Sequence, residues 1–200
     1  MEKENTKAKI LKILLKQFTT NWTITALAKK INMSRVGIWK VLKSLEIERL
    51  VTLSPIGKGK TNIFSISLNW ENPILEKKLS LILTEEALEY QRWINNFTEL
   101  QNKVVFLILF GSILHNPKEA NDIDLFGMVS NKTNFLVIEG IIQKVQKVQI
   151  KKIHSENFTK PEFEKELKKP NKIFIDAMKK GVILFGQEKF VKFIKNILIK

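Results

Sequence analysis

Apolar residues near the start of the chain recur with the three-to-four-residue spacing of amphipathic helices. They form three groups: Ile10, Ile13, Leu14 and Phe18; Ile24, Leu27, Ala28 and Ile31; and Ile38, Val41, Leu42 and Leu45. Thr23 and Ser34 stand where the second and third groups begin, and both residue types favour helix N-termini because their side-chain oxygen accepts a backbone hydrogen bond. The pattern predicts a first helix over residues 6–18, followed by two short helices that form a helix-turn-helix.

The spacing changes after Leu50, where apolar positions follow the alternation of β-strands. Residues 51–53 and 63–68 flank the segment SPIGKGK at 54–60, whose glycines and lysines are typical of a hairpin tip. Such a hairpin would extend the helix-turn-helix as a wing, with Lys58 and Lys60 at its tip. We therefore predict a winged helix-turn-helix domain over residues 1–70.

Residues 73–97 lack glycine and are rich in large apolar side chains, which predicts one long helix, or two abutting helices with Thr84 as an internal cap. This is more apolar surface than a solvent-bridging helix needs. We expect residues 71–100 to be a connector that packs on a neighbour or on a second copy of the chain. By analogy with other regulators, a homodimer would match a palindromic DNA site.

The third region begins with a continuous apolar run at 104–110, which is typical of a strand covered on both faces, and ends in Gly111 and Ser112. A second strand is predicted over residues 121–126. Because side chains alternate along a strand, Asp122 and Asp124 should share one face, where two like charges are costly unless a cation lies between them. Oxygen ligands beside a phosphate favour Mg²⁺. Gly111 would let the backbone approach a phosphate, and the amides around Ser112 would donate to it.

The charge distribution favours a polyanionic partner. The 200 residues carry a formal net charge of +14, divided as +9 over residues 1–70, −3 over 71–100 and +8 over 101–200. The absence of cysteine excludes disulfides, thiolate metal sites and cysteine nucleophiles, and two histidines leave oxygen as the main metal-ligand type. The longest apolar run has seven residues, whereas a membrane span needs about 20. We expect a cytoplasmic protein without a membrane partner.

Residues 33–45, MSRVGIWKVLKSL, resemble the recognition-helix region of biotin-repressor-type winged helix-turn-helix domains. Arg35, Trp39 and Lys43 share one helical face, and the lysines of the wing tip would reach the flanking backbone of double-stranded DNA. The candidate DNA-binding residues are Ser34, Arg35, Trp39, Lys40, Lys43, Lys58 and Lys60. Protein docking is the alternative, because winged helices also serve that purpose.

The apolar strand, the Gly-Ser pair and the following Asp-Ile-Asp resemble the DNA polymerase β nucleotidyltransferase superfamily, and its minimal nucleotidyltransferases most of all. Residues 173–186 are similar to the closing helix and strand of those proteins. The resemblance implies an α+β chain whose residues 101–200 form a mixed sheet with flanking helices. It also implies NTP binding at Gly111 and Ser112, and a Mg²⁺ site, with room for two ions, at the catalytic Asp122 and Asp124.

Members of this superfamily usually carry a third carboxylate on a neighbouring strand. We expect residues 148–153 to be that strand, and they offer Gln149 or Lys151 where the acid should be. Glu156 lies downstream, where a capping or surface role is expected. We also expect His115 to be an exposed loop residue and His154 to lie at a strand end.

Two main hypotheses follow. The chain is a DNA-binding nucleotidyltransferase that moves a nucleoside monophosphate from NTP to a hydroxyl of a protein, such as a toxin partner, or of a nucleic acid. Alternatively, it is a transcriptional regulator whose degenerate nucleotidyltransferase domain only binds nucleotide or mediates assembly.

Overall fold

The computed structural model describes residues 5–56, 63–169 and 171–199. The chain forms two compact units, one of Met1–Ile82 with Val191–Lys200 and the other of Leu83–Phe190. The described residues contain helices and two separate β-sheets, one of three strands and one of four. The predicted α+β class is therefore confirmed.

The first unit opens with three helices: α1 at Thr6–Lys16, α2 at Ile24–Ile31 and α3 at Arg35–Ile47. The Thr23 hydroxyl accepts a hydrogen bond from the Ala26 N–H at 3.2 Å, and the Ser34 hydroxyl accepts one from the Gly37 N–H at 3.0 Å. Both predicted caps are confirmed. Asn32, with φ 60°, ends α2 in the left-handed conformation that begins the turn into α3.

A three-stranded antiparallel sheet completes this part of the unit. Its strands are β1 at Trp22–Thr23, β2 at Val51–Ile56 and β3 at Ile63–Leu68, in the order β1-β3-β2. The two predicted hairpin strands are confirmed, while the predicted tip with Lys58 and Lys60 lies outside the described residues. β1 was not predicted, because two residues are too short to show an alternating pattern.

The core of the helix-turn-helix consists of apolar side chains from all three helices and from the residue before β2. Its fully enclosed members include Ile10, Leu15, Leu27, Ile38, Leu42, Leu45 and Leu50. All of them except Leu15 and Leu50 belong to the apolar groups that the sequence periodicity indicated. Burial of these side chains stabilises the packing of the helices.

The predicted connector forms two helices, α4 at Pro73–Leu88 and α5 at Gln91–Asn96. Thr84 lies inside α4, so the prediction that it caps a second helix is wrong. Exposed apolar side chains recur every seven residues along α4: Ile74, Leu81 and Leu88 are each 57–58% exposed. The expected homodimer stays a prediction.

The second unit is built on a mixed sheet. Its strands are β4 at Phe106–Phe110, β5 at Asp122–Val129, β6 at Lys152–Thr159 and β7 at Val182–Phe185. The order is β6-β5-β4-β7; β4 is antiparallel to β5 and β7, and β5 is parallel to β6. Because parallel neighbours need a crossover, helix α6 at Asn134–Gln146 links β5 to β6. Helices α7 at Lys160–Lys168 and α8 at Lys172–Lys180 follow. The last helix, α9 at Gln187–Leu198, begins in this unit, and its residues from Val191 onward belong to the first unit.

Each face of this sheet has a different covering. One face carries aromatic side chains, with Phe126 at ring-centroid distances of 4.2 Å from Phe110, 5.6 Å from Phe158 and 5.3 Å from Phe174. The opposite face packs aliphatic residues of the strands against Ile138 and Ile141 of α6 and others in one cluster. All five residues of β4 are buried, as its unbroken apolar run predicted.

We predict that Leu42→Ala lowers the free energy of unfolding of the helix-turn-helix by about 2 to 5 kcal/mol, because it removes an enclosed side chain. Ile47→Ala, on the same helix but at an 83% exposed position, should change it by less than about 0.5 kcal/mol. Hydrogen exchange of the α3 amides measures both. Equal effects would contradict the assigned core.

Candidate functional site

Two aspartates lie at the polar end of the phenylalanine-covered sheet face. The antiparallel register pairs Asp124 with Phe110, and Asp122 lies two residues away on the same face of β5. The prediction that both carboxylates share a face is confirmed. Their position is set by β5, whose remaining residues are nearly all buried.

His154 joins the two aspartates from the neighbouring strand. The parallel register sets His154 of β6 beside Asp124. Its Nδ1 atom lies 3.5 Å from Asp124 Oδ1 and 3.8 Å from Asp122 Oδ2, and one ligand atom of each residue lies within 4.8 Å of the others. Sequence reasoning missed the placement of His154 beside the aspartates, because the number of residues between two strands does not fix their register. The small number of histidines in the chain was the only signal that pointed to this residue.

The strand expected over residues 148–153 is wrong, because β6 begins only at Lys152. The Gln146 side chain holds the preceding turn together: its amide nitrogen donates to the Gln149 and Lys151 carbonyls at 3.2 and 3.1 Å, and its oxygen accepts from the Ile153 N–H at 2.8 Å. Gln149 and Lys151 therefore lie in the turn rather than on a strand beside the aspartates.

Glu156 follows His154 on the same face of β6, where it pairs in register with Phe126. Its side chain is exposed, as expected, but it also lines the cavity beside Asp124. A carboxylate therefore lies two residues beyond the imidazole on the same strand.

Gly111 turns the chain directly against the carboxylate of Asp124. Its φ is +87°, and a Cβ at this position would collide with Asp124 Oδ2. The positive φ favours glycine here, and a Cβ would force the Asp124 carboxylate to shift. Ser112 begins a single 3-10 turn, Ser112–Leu114, and is exposed.

A cavity of about 590 Å³ opens over this cluster. Its lining includes Gly111, His115, Asp124, His154, Glu156 and Lys180. This volume suits a small molecule, and the ammonium group of Lys180, which lies 3.4 Å from Asp176 Oδ2, can also pair with an anion. His115 is exposed in its loop, as predicted, and lies at the rim of this cavity.

The electrostatics of the cluster favour a cation. Burial raises the pKa of the Asp124 carboxyl above its usual range, and the negative charge of Asp122 raises it further, while His154 acts in the opposite direction. The donor set, two carboxylates and an imidazole within reach of one point, fits a divalent cation. A bound cation would offset the repulsion that Asp124 experiences.

Five of the predicted DNA-binding residues lie on α3 or at its N-cap. Ser34, Arg35, Lys40 and Lys43 are exposed, whereas the half-buried Trp39 ring packs at a tilt against Phe64, with ring centroids 5.4 Å apart. Lys43 lies over the Trp39 ring at 4.7 Å and contacts Glu46 at 2.7 Å. Trp39 therefore packs α3 against β3, so its ring has a structural role.

Val36 is a further surface residue that the sequence argument did not single out. It is 65% exposed in the first turn of α3, and it lines a hollow of about 690 Å³ together with Arg35, Trp39 and Ile63. The predicted apolar stripe of α3 does not include it.

Comparison with known families adds independent support for the first unit. Residues 6–52 match the family model of an HTH domain. The match spans α1, α2, α3 and the start of β2, and it supports an N-terminal helix-turn-helix DNA-binding domain. No curated protein and no solved structure matches the chain. In the described part of the chain, no helix is long and apolar enough to cross a membrane.

We predict that Asp124→Asn stabilises the metal-free protein near pH 7. Since the folded-state pKa of this carboxyl is raised, its favourable contribution is complete below its ordinary pKa and is lost as the pH rises through the raised value. The advantage of the variant should therefore shrink as the pH falls toward 3.8. Urea denaturation in EDTA at several pH values measures this, and a difference independent of pH would contradict it.

Proposed function

We propose that this chain is a DNA-binding protein whose second unit is a Mg²⁺-dependent nucleotidyltransferase. The reaction moves a nucleoside monophosphate from an NTP to a hydroxyl of a protein or nucleic acid. The observation that carries the proposal is that Asp124 and Gly111 line one cavity and that Asp122 clusters with Asp124. These residues follow the order that the superfamily resemblance implies.

Each residue has a distinct chemical part in this proposal. Asp122 and Asp124 hold the cation, which supplies charge neutralisation and alignment for the triphosphate. Gly111 lets the backbone approach the phosphates, and Ser112 follows at the exposed start of the turn. Lys180, at the cavity wall, pairs with phosphate charge.

Glu156 is the proposed general base. The acceptor oxygen forms a bond to the α-phosphorus as the bond to the departing pyrophosphate breaks, and the hydroxyl proton passes to the Glu156 carboxylate. This residue lines the cavity beside Asp124 and is exposed enough to meet an acceptor from solvent.

The second candidate is a transcriptional regulator whose second unit binds nucleotide without transferring it. The observation that favours it is the imidazole of His154 beside the aspartates: a protonated His154 would neutralise part of their charge without a metal. Under this alternative the cavity is a sensor for nucleotide, and the helix-turn-helix carries the output.

The first unit supplies DNA contact in either case. Arg35, Lys40 and Lys43 extend from the exposed side of α3, and the N-terminal unit carries most of the positive charge in the first half of the chain. Lysine and arginine contacts to phosphate give salt-dependent affinity, while Arg35 at the start of the helix is placed to reach a base edge.

We predict that Arg35→Ala with Lys43→Ala weakens duplex DNA binding and lowers the slope of log K against log salt by about 1 to 2, since each lost phosphate contact removes about 0.9. Lys144→Ala with Lys147→Ala removes the same charge from exposed positions on and just after α6 and serves as the control. Gel shifts between 50 and 200 mM salt, about the range in which such contacts act, measure both. Unchanged binding by the first pair would leave α3 as a protein-docking surface.

We predict that Asp122→Asn with Asp124→Asn reduces label transfer from α-labelled NTP by on the order of 100-fold, because the electrostatic support of the reacting phosphate is lost. Glu156→Gln should lower the rate by on the order of 100-fold as well, through loss of the base. The exposed Glu139→Gln variant of α6 is the matched control. Labelling is measured with Mg²⁺ in the presence of cell lysate.

Equal labelling by wild type and the double variant would rule out the catalytic assignment. Nucleotide binding without labelling in any preparation would favour the sensor over the enzyme.

A further inference from the structure

We infer that His154 ligates the cation of this site through Nδ1, together with Asp122 and Asp124, and that this mixed set selects a transition-metal dication such as Mn²⁺ over Mg²⁺. The inference rests on the proposed function, because it concerns the cation of the same site. It adds a ligand and a metal preference that the carboxylate pair alone does not give.

The distances from His154 to the two carboxylates are close to those between ligands of one octahedral ion. Ligands at about 2.1 Å from a metal lie about 3 Å apart when adjacent and about 4 Å apart when opposite. Nδ1 of His154 lies 3.5 Å from Asp124 Oδ1 and 3.8 Å from Asp122 Oδ2, and the three ligand atoms lie within 4.8 Å of one another. Ligation of one ion by all three therefore requires the side chains to rotate toward a common centre.

The backbone holds these ligands in register. His154 and Asp124 are paired in the parallel β5–β6 ladder, so their separation is fixed by the sheet rather than by flexible loops. Gly111 packs against Asp124 Oδ2, while Oδ1 of the same carboxylate faces His154. With Oδ2 next to Gly111, Oδ1 is the oxygen of Asp124 that faces His154. A side chain at position 111 would displace the Asp124 carboxylate from this orientation.

The chemistry of the donor set determines the preference. Mg²⁺ takes oxygen ligands almost exclusively, whereas an imidazole nitrogen strengthens the binding of first-row transition metals. Mn²⁺ combines tolerance for carboxylates and phosphates with acceptance of nitrogen, and it keeps the octahedral geometry. Since His154 is about half exposed, its imidazole can meet a hydrated ion arriving from the cavity.

The test uses the full chain, stripped with EDTA and titrated with Mn²⁺ alone. Bound Mn²⁺ is counted from the loss of the free-ion EPR signal, and electron spin-echo modulation from ¹⁴N reports an imidazole ligand. We expect binding with ¹⁴N modulation, and Mg²⁺ should displace Mn²⁺ only in large excess. Neither readout depends on label transfer, so a failure here is distinguishable from a failure of the proposed reaction.

The chain offers a matched control, because it has only two histidines. His154→Asn should abolish the ¹⁴N modulation and weaken Mn²⁺ binding by at least about tenfold. The control is His115→Asn, because His115 lies in an exposed loop at the rim of the same cavity. This variant should retain the ¹⁴N modulation and the Mn²⁺ affinity. His154→Asp, which supplies oxygen instead, should shift the Mg²⁺-to-Mn²⁺ affinity ratio toward Mg²⁺ by about tenfold or more.

Mn²⁺ binding without ¹⁴N modulation would overturn ligation by His154 while leaving the carboxylate site and the proposed reaction intact. Modulation that persists in His154→Asn but vanishes in His115→Asn would also overturn it. Absence of Mn²⁺ binding in a protein that still transfers label with Mg²⁺ would overturn the stated metal preference.

Discussion

The close placement of Asp122 and Asp124 is the constraint on which the second unit depends. Two like charges on one sheet face destabilise the fold; burial, and then the charge of Asp122, raises the pKa of the Asp124 carboxyl. The surrounding structure keeps the arrangement nonetheless: the other residues of β5 are buried, and glycine at position 111 leaves room for the Asp124 carboxylate. Such a tolerated cost is typical of a site retained for binding or catalysis.

In the proposed function, the first unit binds DNA and the second unit binds nucleotide. The helix-turn-helix has an enclosed aliphatic core that needs no ligand, and its charged residues lie on the exposed side of α3. The second unit instead concentrates its chemistry at one end of a mixed sheet, where Asp124, His154 and Glu156 meet a cavity. A DNA-binding element and a nucleotide-responsive element in one chain fit a regulator that acts on, or responds to, nucleotides near its binding site.

Local sequence patterns predicted the three helices of the helix-turn-helix, strands β4 and β5, and the caps at Thr23 and Ser34, because those features depend on nearby residues. Thr23 and Ser34 were found from their positions before apolar stripes, and Asp122 with Asp124 from the two-residue period of a strand. The start of β6 was missed because the Gln146 side chain, rather than any local pattern, holds the turn that precedes it. The position of His154 depends on the register between β5 and β6. Its place beside the aspartates could therefore be found only from the three-dimensional structure.

The central claim is that these side chains hold a cation beside a nucleotide. A crystal structure of the full chain grown with Mn²⁺ and an NTP analogue with a non-cleavable α,β bridge, with data collected at the manganese edge, tests it most directly. The account predicts an anomalous peak within bonding distance of Asp122, Asp124 and His154, with the triphosphate along the Gly111 turn. Nucleotide bound in the cavity without such a peak, or a peak elsewhere, would contradict it.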